Sequence, residues 1–480
     1  MRVNNIKTTI NKIIVLFAFI LLTLNISFNL FRISTERNLY SFDEALTIGR
    51  IIKSEQDGLF SAAGFPGVVY NKEEIFSDSI VDNQLSYDSH TARDIVIRHN
   101  LENQFRWYLK WDDSKIPIDY YPYTSQSGGS ALLYSVVNLI LPFDGNITIL
   151  ILRLISGSLL ATCLMLFVGW CWRNFGSISA FTVYILLFIS PWIVFMGGSL
   201  WWSVYTYYIP FLTMLLLLER RHKFPDKINN KILFTGLFIA VFIKHLLFGF
   251  EFVTTILLAI YPPVIYYWYI EKRSLSSFFI FSFKAGIVSL LAVLCQSFIL
   301  FYQLSVLKGG SILSSFKDIL FLYSKRGSLG NYPDLSYQEA YINIFKRYFS
   351  NDIFSSELCK PNDPIFFSNS PVILSYFSFI VMILGMSLIG YYFLLKKSDK
   401  LIKLNYSAII ITTFTSIICP LSWYLMFVEH SLIHPHRDFI ILYVPFMLFG
   451  FLLTGIFLDL IITFFKHHIL IIKRNIPNDR

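Results

Sequence analysis

Charge is scarce in this chain. Only 15% of its 480 residues are Asp, Glu, Lys or Arg, while 55% are hydrophobic, and the mean hydropathy is +0.57. A water-soluble domain has too much surface per unit volume to be built from so few polar groups, so lipid must solvate much of this one. Cysteine is scarce as well. Cys163, Cys171, Cys295 and Cys419 lie in or at the edge of apolar segments, and Cys359 stands alone in a long polar loop. That excludes a disulfide scaffold, and no CxxC or Cys/His zinc spacing occurs. A Gly-rich phosphate loop is missing, as is any stretch that reads as a soluble nucleotide-sugar domain. The net charge of +9 does not imply nucleic acid, because the Lys and Arg residues form no single patch. They fall in short clusters between apolar runs.

What the chain has in abundance is apolar runs. A spanning helix needs about 20 such residues, and they occur at 13–31, 147–172, 177–196, 203–219, 232–249, 253–270, 276–306, 371–395, 405–424 and 439–464. The first run follows Arg2, Lys7 and Lys12 but is too long for a signal-peptide core and has no small-residue cleavage site after it, so it reads as a span. The expected fold is an all-α polytopic membrane protein of about ten transmembrane helices, one integral membrane domain over residues 1–480. With the N-terminus in the cytoplasm, Arg173, the run Arg220 to Lys231, Lys272/Arg273, Lys396 to Lys403 and Lys466 to Arg474 all fall inside. This is the positive-inside pattern, and it places both termini in the cytoplasm. Two large loops, 32–130 and 308–370, are then extracytoplasmic. The first is net acidic, with ten Lys/Arg against fifteen Asp/Glu. Ser41–Gln56 and Thr91–Phe105 have helical spacing and should form short amphipathic helices on the membrane surface. Ala131–Phe143 is apolar but too short to span, which predicts an interfacial or re-entrant helix. The 48 Phe and 28 Tyr residues suit interfacial aromatic belts.

Polar groups near membrane depth are costly and therefore informative. Asp43 and Glu44, in SFDEALTIGR, follow the first span closely. Carboxylates also favour a helix start, but a base held at the membrane surface needs the same placement. GSLWWSVYTYY (198–208) reads first as an aromatic belt, which covers much of it, and its rings are also compatible with stacking on sugars. In KHLLFGFEF (244–252), Lys244 could simply snorkel. Glu251, in an otherwise apolar turn, points to a re-entrant hairpin facing a wet cavity. The densest cluster is Glu429, His430, His434, His436, Arg437 and Asp438, in FVEHSLIHPHRDF. His430 and His434 have the i, i+4 spacing of a shared helix face, but Pro435 breaks a helix there. A cationic phosphate pocket centred on Arg437 therefore fits better than a metal site. Lys325, Arg326, Lys346 and Arg347 could add to it. Lys284 is the main charge within a span. No cofactor is expected, with a divalent metal left as an open alternative.

With these residues in place, the chain resembles the GT-C class of membrane glycosyltransferases, and within it the bacterial serotype-converting O-antigen glucosyltransferases. SFDEALT is similar to the acidic first-loop motif, and YTSQSGGSALLYS to the segment before the second helix. GFEF is similar to a Gly-Tyr-Glu-Tyr-type turn with Phe250 in place of tyrosine, and IHPHRDF to a His-rich outer-loop motif. The resemblance implies an inverting transfer of a sugar, glucose in those relatives, from a polyprenyl-phosphate carrier to a lipid-linked glycan such as O-antigen. It implies a bacterial inner-membrane location with the site facing the periplasm. It also implies a catalytic carboxylate at Glu44 or Asp43, with Lys244, Glu251, His430, His434, His436 and Arg437 around the substrates. Its partners would be the lipid-linked donor, the lipid-linked acceptor and membrane lipid, with no nucleic acid. The rival readings are an O-antigen polymerase, whose external loops would be arginine-rich, and a flippase or transporter for lipid-linked sugar, which would tend to show repeats that are missing here.

The topology is directly testable. A cysteine placed at Ile80 should react with impermeant reagents only from the extracytoplasmic side of intact cells, and labelling only from the cytoplasm would invert the whole assignment.

Overall fold

The computed structural model describes residues 2–34, 44–70, 103–109, 119–330, 332, 334–354, 373–395, 400–434 and 438–475. The described chain is helical apart from one small sheet. Its helices are α1 (Arg2–Phe28), α2 (Ala45–Asp57), α3 (Asn103–Tyr108), α4 (Gly129–Ile140), α5 (Gly145–Phe175), α6 (Ser177–Phe188), α7 (Pro191–Gly197), α8 (Tyr205–Lys223), α9 (Asn230–Phe248) and α10 (Val253–Leu258). They continue as α11 (Tyr261–Ile270), α12 (Leu275–Lys308), α13 (Ile312–Gly327), α14 (Tyr337–Ser350), α15 (Tyr376–Leu395), α16 (Lys400–Ser416), α17 (Ile418–Met426), α18 (Val428–Ile433) and α19 (Phe446–Asn475).

Among the described residues, eight helices or helix pairs are long and apolar enough to cross a membrane, or nine when α6 and α7, bent by 61°, count as one span. The bend falls where Pro191 opens a new helix, since proline cannot continue the old one. The remaining expected span is α8. It is helical throughout, but its last turn holds Arg220, Arg221, His222 and Lys223, so length and composition alone do not mark it as a crossing.

Local chemistry sets the helix ends. Asp144, Asn229 and Ser274 accept hydrogen bonds from the backbone N–H of Ile147, Ile232 and Ser277, capping α5, α9 and α12. Ser336 and Glu339 form a capping box on α14. In the bundle α1 lies on α5, α9 packs between α8 and α12, α11 lies on α16, and α19 packs on α6, α15 and α16. The long α12 leaves most of one face outside the bundle, with Phe279, Phe283 and Phe298 more than 60% exposed, as expected of a helix solvated by lipid.

The described parts of the first loop fold onto one end of this bundle. The predicted amphipathic helix at 41–56 is present as α2, and the short apolar segment is present as α4. Of the segment Thr91–Phe105 only α3 begins within the described residues. The sheet was not anticipated: β1 (Gly67–Tyr70) pairs antiparallel with β2 (Asp119–Pro122), Gly67 opposite Pro122 and Tyr70 opposite Asp119. The amide of Gln104 serves the free edge of β1, donating to Val69 O at 2.7 Å and accepting from Val69 N at 2.9 Å. Gly49 of α2 permits this docking, because a Cβ there would lie 2.1 Å from Gly67 O. Buried Arg50 ties down the turn after α2 through the Ser61 carbonyl, at 2.6 Å, and the Ser61 hydroxyl, at 2.7 Å.

Basic residues gather at the other end of the bundle. Arg173 pairs with Glu219 through two hydrogen bonds of 2.9 and 2.6 Å, Lys223 reaches Glu219 at 2.7 Å, and His222 meets Glu271 at 3.0 Å.

Candidate functional site

α9 stops abruptly. Gly249 follows at φ 67° and Phe252 at φ 56° before α10 begins. A Cβ at position 249 would sit 2.5 Å from Gln126 Cβ, so both the left-handed backbone and the close approach require glycine there. Carbonyls left over at a helix end must find donors. Ser127 and Ser130 donate to Leu246 O and Leu247 O at 2.8 and 2.7 Å. The fully buried Lys244 ammonium donates to Gly249 O at 2.9 Å and Glu251 O at 2.6 Å. Lys244, a candidate substrate-binding residue, thus clamps the turn. Its neighbour His245 is buried too, with Nδ1 2.8 Å from Val241 O.

The turn delivers the Glu251 side chain to a cavity of about 140 Å³, several times the ~30 Å³ share of a water molecule. Tyr123, Trp201, Trp202, Glu251, Glu429, His430, Ile433 and His434 line it. The sequence clusters around 198–208, 244–252 and 429–438 therefore meet at one place. His430 lies between carboxylates, with Nε2 3.2 Å from Glu251 Oε2 and Nδ1 3.5 Å from Asp438 Oδ2. Asp438 also accepts from Trp423 Nε1 at 3.1 Å. Burial disfavours the His430 imidazolium, but Asp438 and Glu251 outweigh it and hold the pKa above the ordinary histidine value. Trp201 meets Tyr123 edge-on at 5.5 Å, giving the cavity an aromatic wall.

α18 carries Glu429 and His430, and it is fixed from behind. Arg347 Nη1 donates to Ser431 O at 3.3 Å and Leu432 O at 3.0 Å, and Tyr348 OH to Ser431 O at 3.1 Å. Arg347, considered above as a phosphate donor, is thus engaged in holding a helix end, whereas Lys346 is exposed.

Glu44 lies behind the aromatic wall and not on the cavity. It is fully buried, with Oε2 2.5 Å from Arg153 Nη2 and Oε1 accepting from Leu200 N at 3.0 Å. Both oxygens are thus engaged by the chain itself, and Glu44, one of the two candidate bases, is not among the residues that line the cavity. Asp43, His436 and Arg437 lie outside the described residues, as do the side chains of Lys325 and Arg326. Arg153 is a further residue of this site, through its pair with Glu44. Its signal was a lone arginine in the apolar run ITILILRLIS, a stronger one than Lys284, whose side chain is exposed. Among the described residues no group of three or more His, Cys, Asp or Glu side chains is arranged to hold a metal ion.

Two outcomes follow. Glu44→Gln leaves Arg153 without its carboxylate and should cost about 3–5 kcal/mol of stability, with Arg153→Met added to it recovering part of the loss. Melting curves in detergent measure both, and an unchanged midpoint for Glu44→Gln would show that the pair holds nothing. The raised pKa of His430 stabilises the folded state fully below its unfolded value of about 6.5, and this contribution is lost as pH rises through the folded value. The melting midpoint should therefore fall as pH rises above about 6.5, and His430→Gln should flatten that slope. A wild-type and a variant midpoint with the same pH slope would contradict it.

No family model, no curated protein and no solved structure matches this chain.

Proposed function

We propose that the chain is a GT-C-type glycosyltransferase of the bacterial inner membrane, with ten spans, both termini cytoplasmic and its cavity facing the periplasm. It moves a sugar, glucose by the resemblance, from a polyprenyl-phosphate carrier onto an extracytoplasmic glycan such as the O-antigen of lipopolysaccharide, with inversion. One observation carries this reading: a cavity at the end of the bundle away from the basic clusters combines the carboxylates of Glu251 and Glu429, the imidazoles of His430 and His434, and the rings of Tyr123, Trp201 and Trp202. Aromatic faces and carboxylates suit a sugar, while imidazolium suits a phosphate leaving group.

The reaction needs a base within hydrogen-bond reach of an acceptor hydroxyl. Glu251 is assigned that role, since its carboxylate lines the cavity and Glu44 is held behind the wall. As the acceptor O–H passes its proton to Glu251, its oxygen attacks the anomeric carbon from the face opposite the carrier. The bond from that carbon to the phosphate oxygen breaks, and its electron pair leaves with the polyprenyl phosphate. His430, in the protonated form that Asp438 and Glu251 favour, neutralises charge developing on that phosphate, with His434 and, in the same segment of sequence, Arg437 assisting. Glu44 and Arg153 position the Leu200–Trp202 wall.

Purified protein in proteoliposomes, given a polyprenyl-phosphate-linked glucose and a lipid-linked acceptor, should form the new glycosidic bond. Movement of the donor across the bilayer without bond formation would instead indicate a transporter. Glu251→Gln keeps the shape but cannot take a proton, and should lower turnover by roughly 10²–10⁴-fold with normal membrane insertion. An active Glu251→Gln beside an inactive Asp43→Asn would return the base to the first-loop doublet.

A further inference from the structure

At the basic end, α8, α11 and α12 enclose a narrow recess lined by Arg221, Arg273, Ser277, Tyr267, Trp268 and several apolar side chains, with about 20 Å³ of free space. The two arginines differ in their partners. Arg273 is ion-paired with Glu271, which also meets His222. Arg221 donates from Nη1 to the Asn230 amide at 3.2 Å and lies over the Phe281 ring at 5.2 Å, but its Nε is enclosed and meets no acceptor among the described residues. An enclosed guanidinium N–H without an acceptor is costly in a protein interior, so an oxygen from outside the chain is the natural partner. The space suffices for about one oxygen atom. Immediately beside the recess, α12 turns Phe279, Ile280 and Phe283 outward, each more than half exposed, along the face that lipid must cover.

We propose that this recess binds the phosphate of an anionic membrane lipid at its mouth, one phosphoryl oxygen entering to reach Arg221 and a second meeting the exposed Arg273 at the rim, with the acyl chains lying along Phe279, Ile280 and Phe283. Arginine's planar array of N–H donors matches the geometry of phosphate oxygens. Basic pockets between spanning helices are places where anionic headgroups settle. Trp268, half-buried at the rim, is the residue type favoured at headgroup depth. The assignment is independent of the transferase reading.

The test uses the full chain in phosphatidylcholine nanodiscs with and without phosphatidylglycerol, read by melting and by lipid titration in native mass spectrometry. Phosphatidylglycerol should raise the midpoint of the wild type. Arg221→Gln and Arg273→Gln should each weaken its binding by about tenfold or more, while Arg220→Gln, on an exposed position of the same helix, should not. Equal binding by wild type and both variants would overturn the proposal. So would an equal shift from inorganic phosphate in pure phosphatidylcholine, which would reassign the recess to the free anion. If Arg221→Gln does not insert, Arg273→Gln, on the exposed turn before α12, decides the matter alone.

Discussion

A helix that ends within a membrane protein's interior leaves carbonyls that water cannot reach, and the cavity depends on how that problem is solved after Phe248. The Lys244 ammonium takes two of the carbonyls, and the Ser127 and Ser130 hydroxyls take two more. These donors come from α9 itself and from the segment leading into α4, so the break and the first loop stabilise each other. Without them the cheapest course for the backbone would be to continue the helix, and Glu251 would turn away from His430. The position of one carboxylate thus rests on a buried amine that never faces the cavity.

The opposite wall is built on the same principle. Ser199 Oγ accepts from Trp201 N and Trp202 N at 3.2 Å each, while Ser156 on α5 donates to Gly197 O and Ser199 O. Leu200 N is taken by Glu44, whose charge is balanced by Arg153. A non-helical stretch between α7 and α8 is therefore held by α2, α5 and its own side chains, and it presents two tryptophans as a rigid surface. A buried polar network of this kind is stable only when its members are satisfied together. That is why Glu44 and the aromatic wall belong to one unit.

The two ends of the bundle divide the charge. Near the cavity, carboxylates and imidazoles are few, and His430 lies buried between Glu251 and Asp438. At the far end, among the described residues, arginines and lysines outnumber their acidic partners, and the Arg221 guanidinium keeps an N–H without an acceptor. The asymmetry suits a protein whose one face handles a substrate while the other meets an anionic membrane surface.

Hydropathy determined the membrane class, and most spans lie where apolar runs of about 20 residues require them, because hydrocarbon thickness acts on each run separately. The helix α2, the short α4 and the break at Gly249 were also legible, being local consequences of periodicity, length and glycine chemistry. The sheet was not, since β1 and β2 are four residues each and are defined by pairing across a separation of about 50 residues. Nor could the sequence assign roles within its clusters. Lys244 and Glu251 stand seven residues apart with similar polarity in similar surroundings, yet one clamps carbonyls and the other faces a cavity. Glu44 and Arg153 lie 109 residues apart, and only the packing of α2 against the bundle makes them a pair. Burial and partner choice are properties of the assembled interior, where a charge must meet a counter-charge or a carbonyl, and no single segment carries that information.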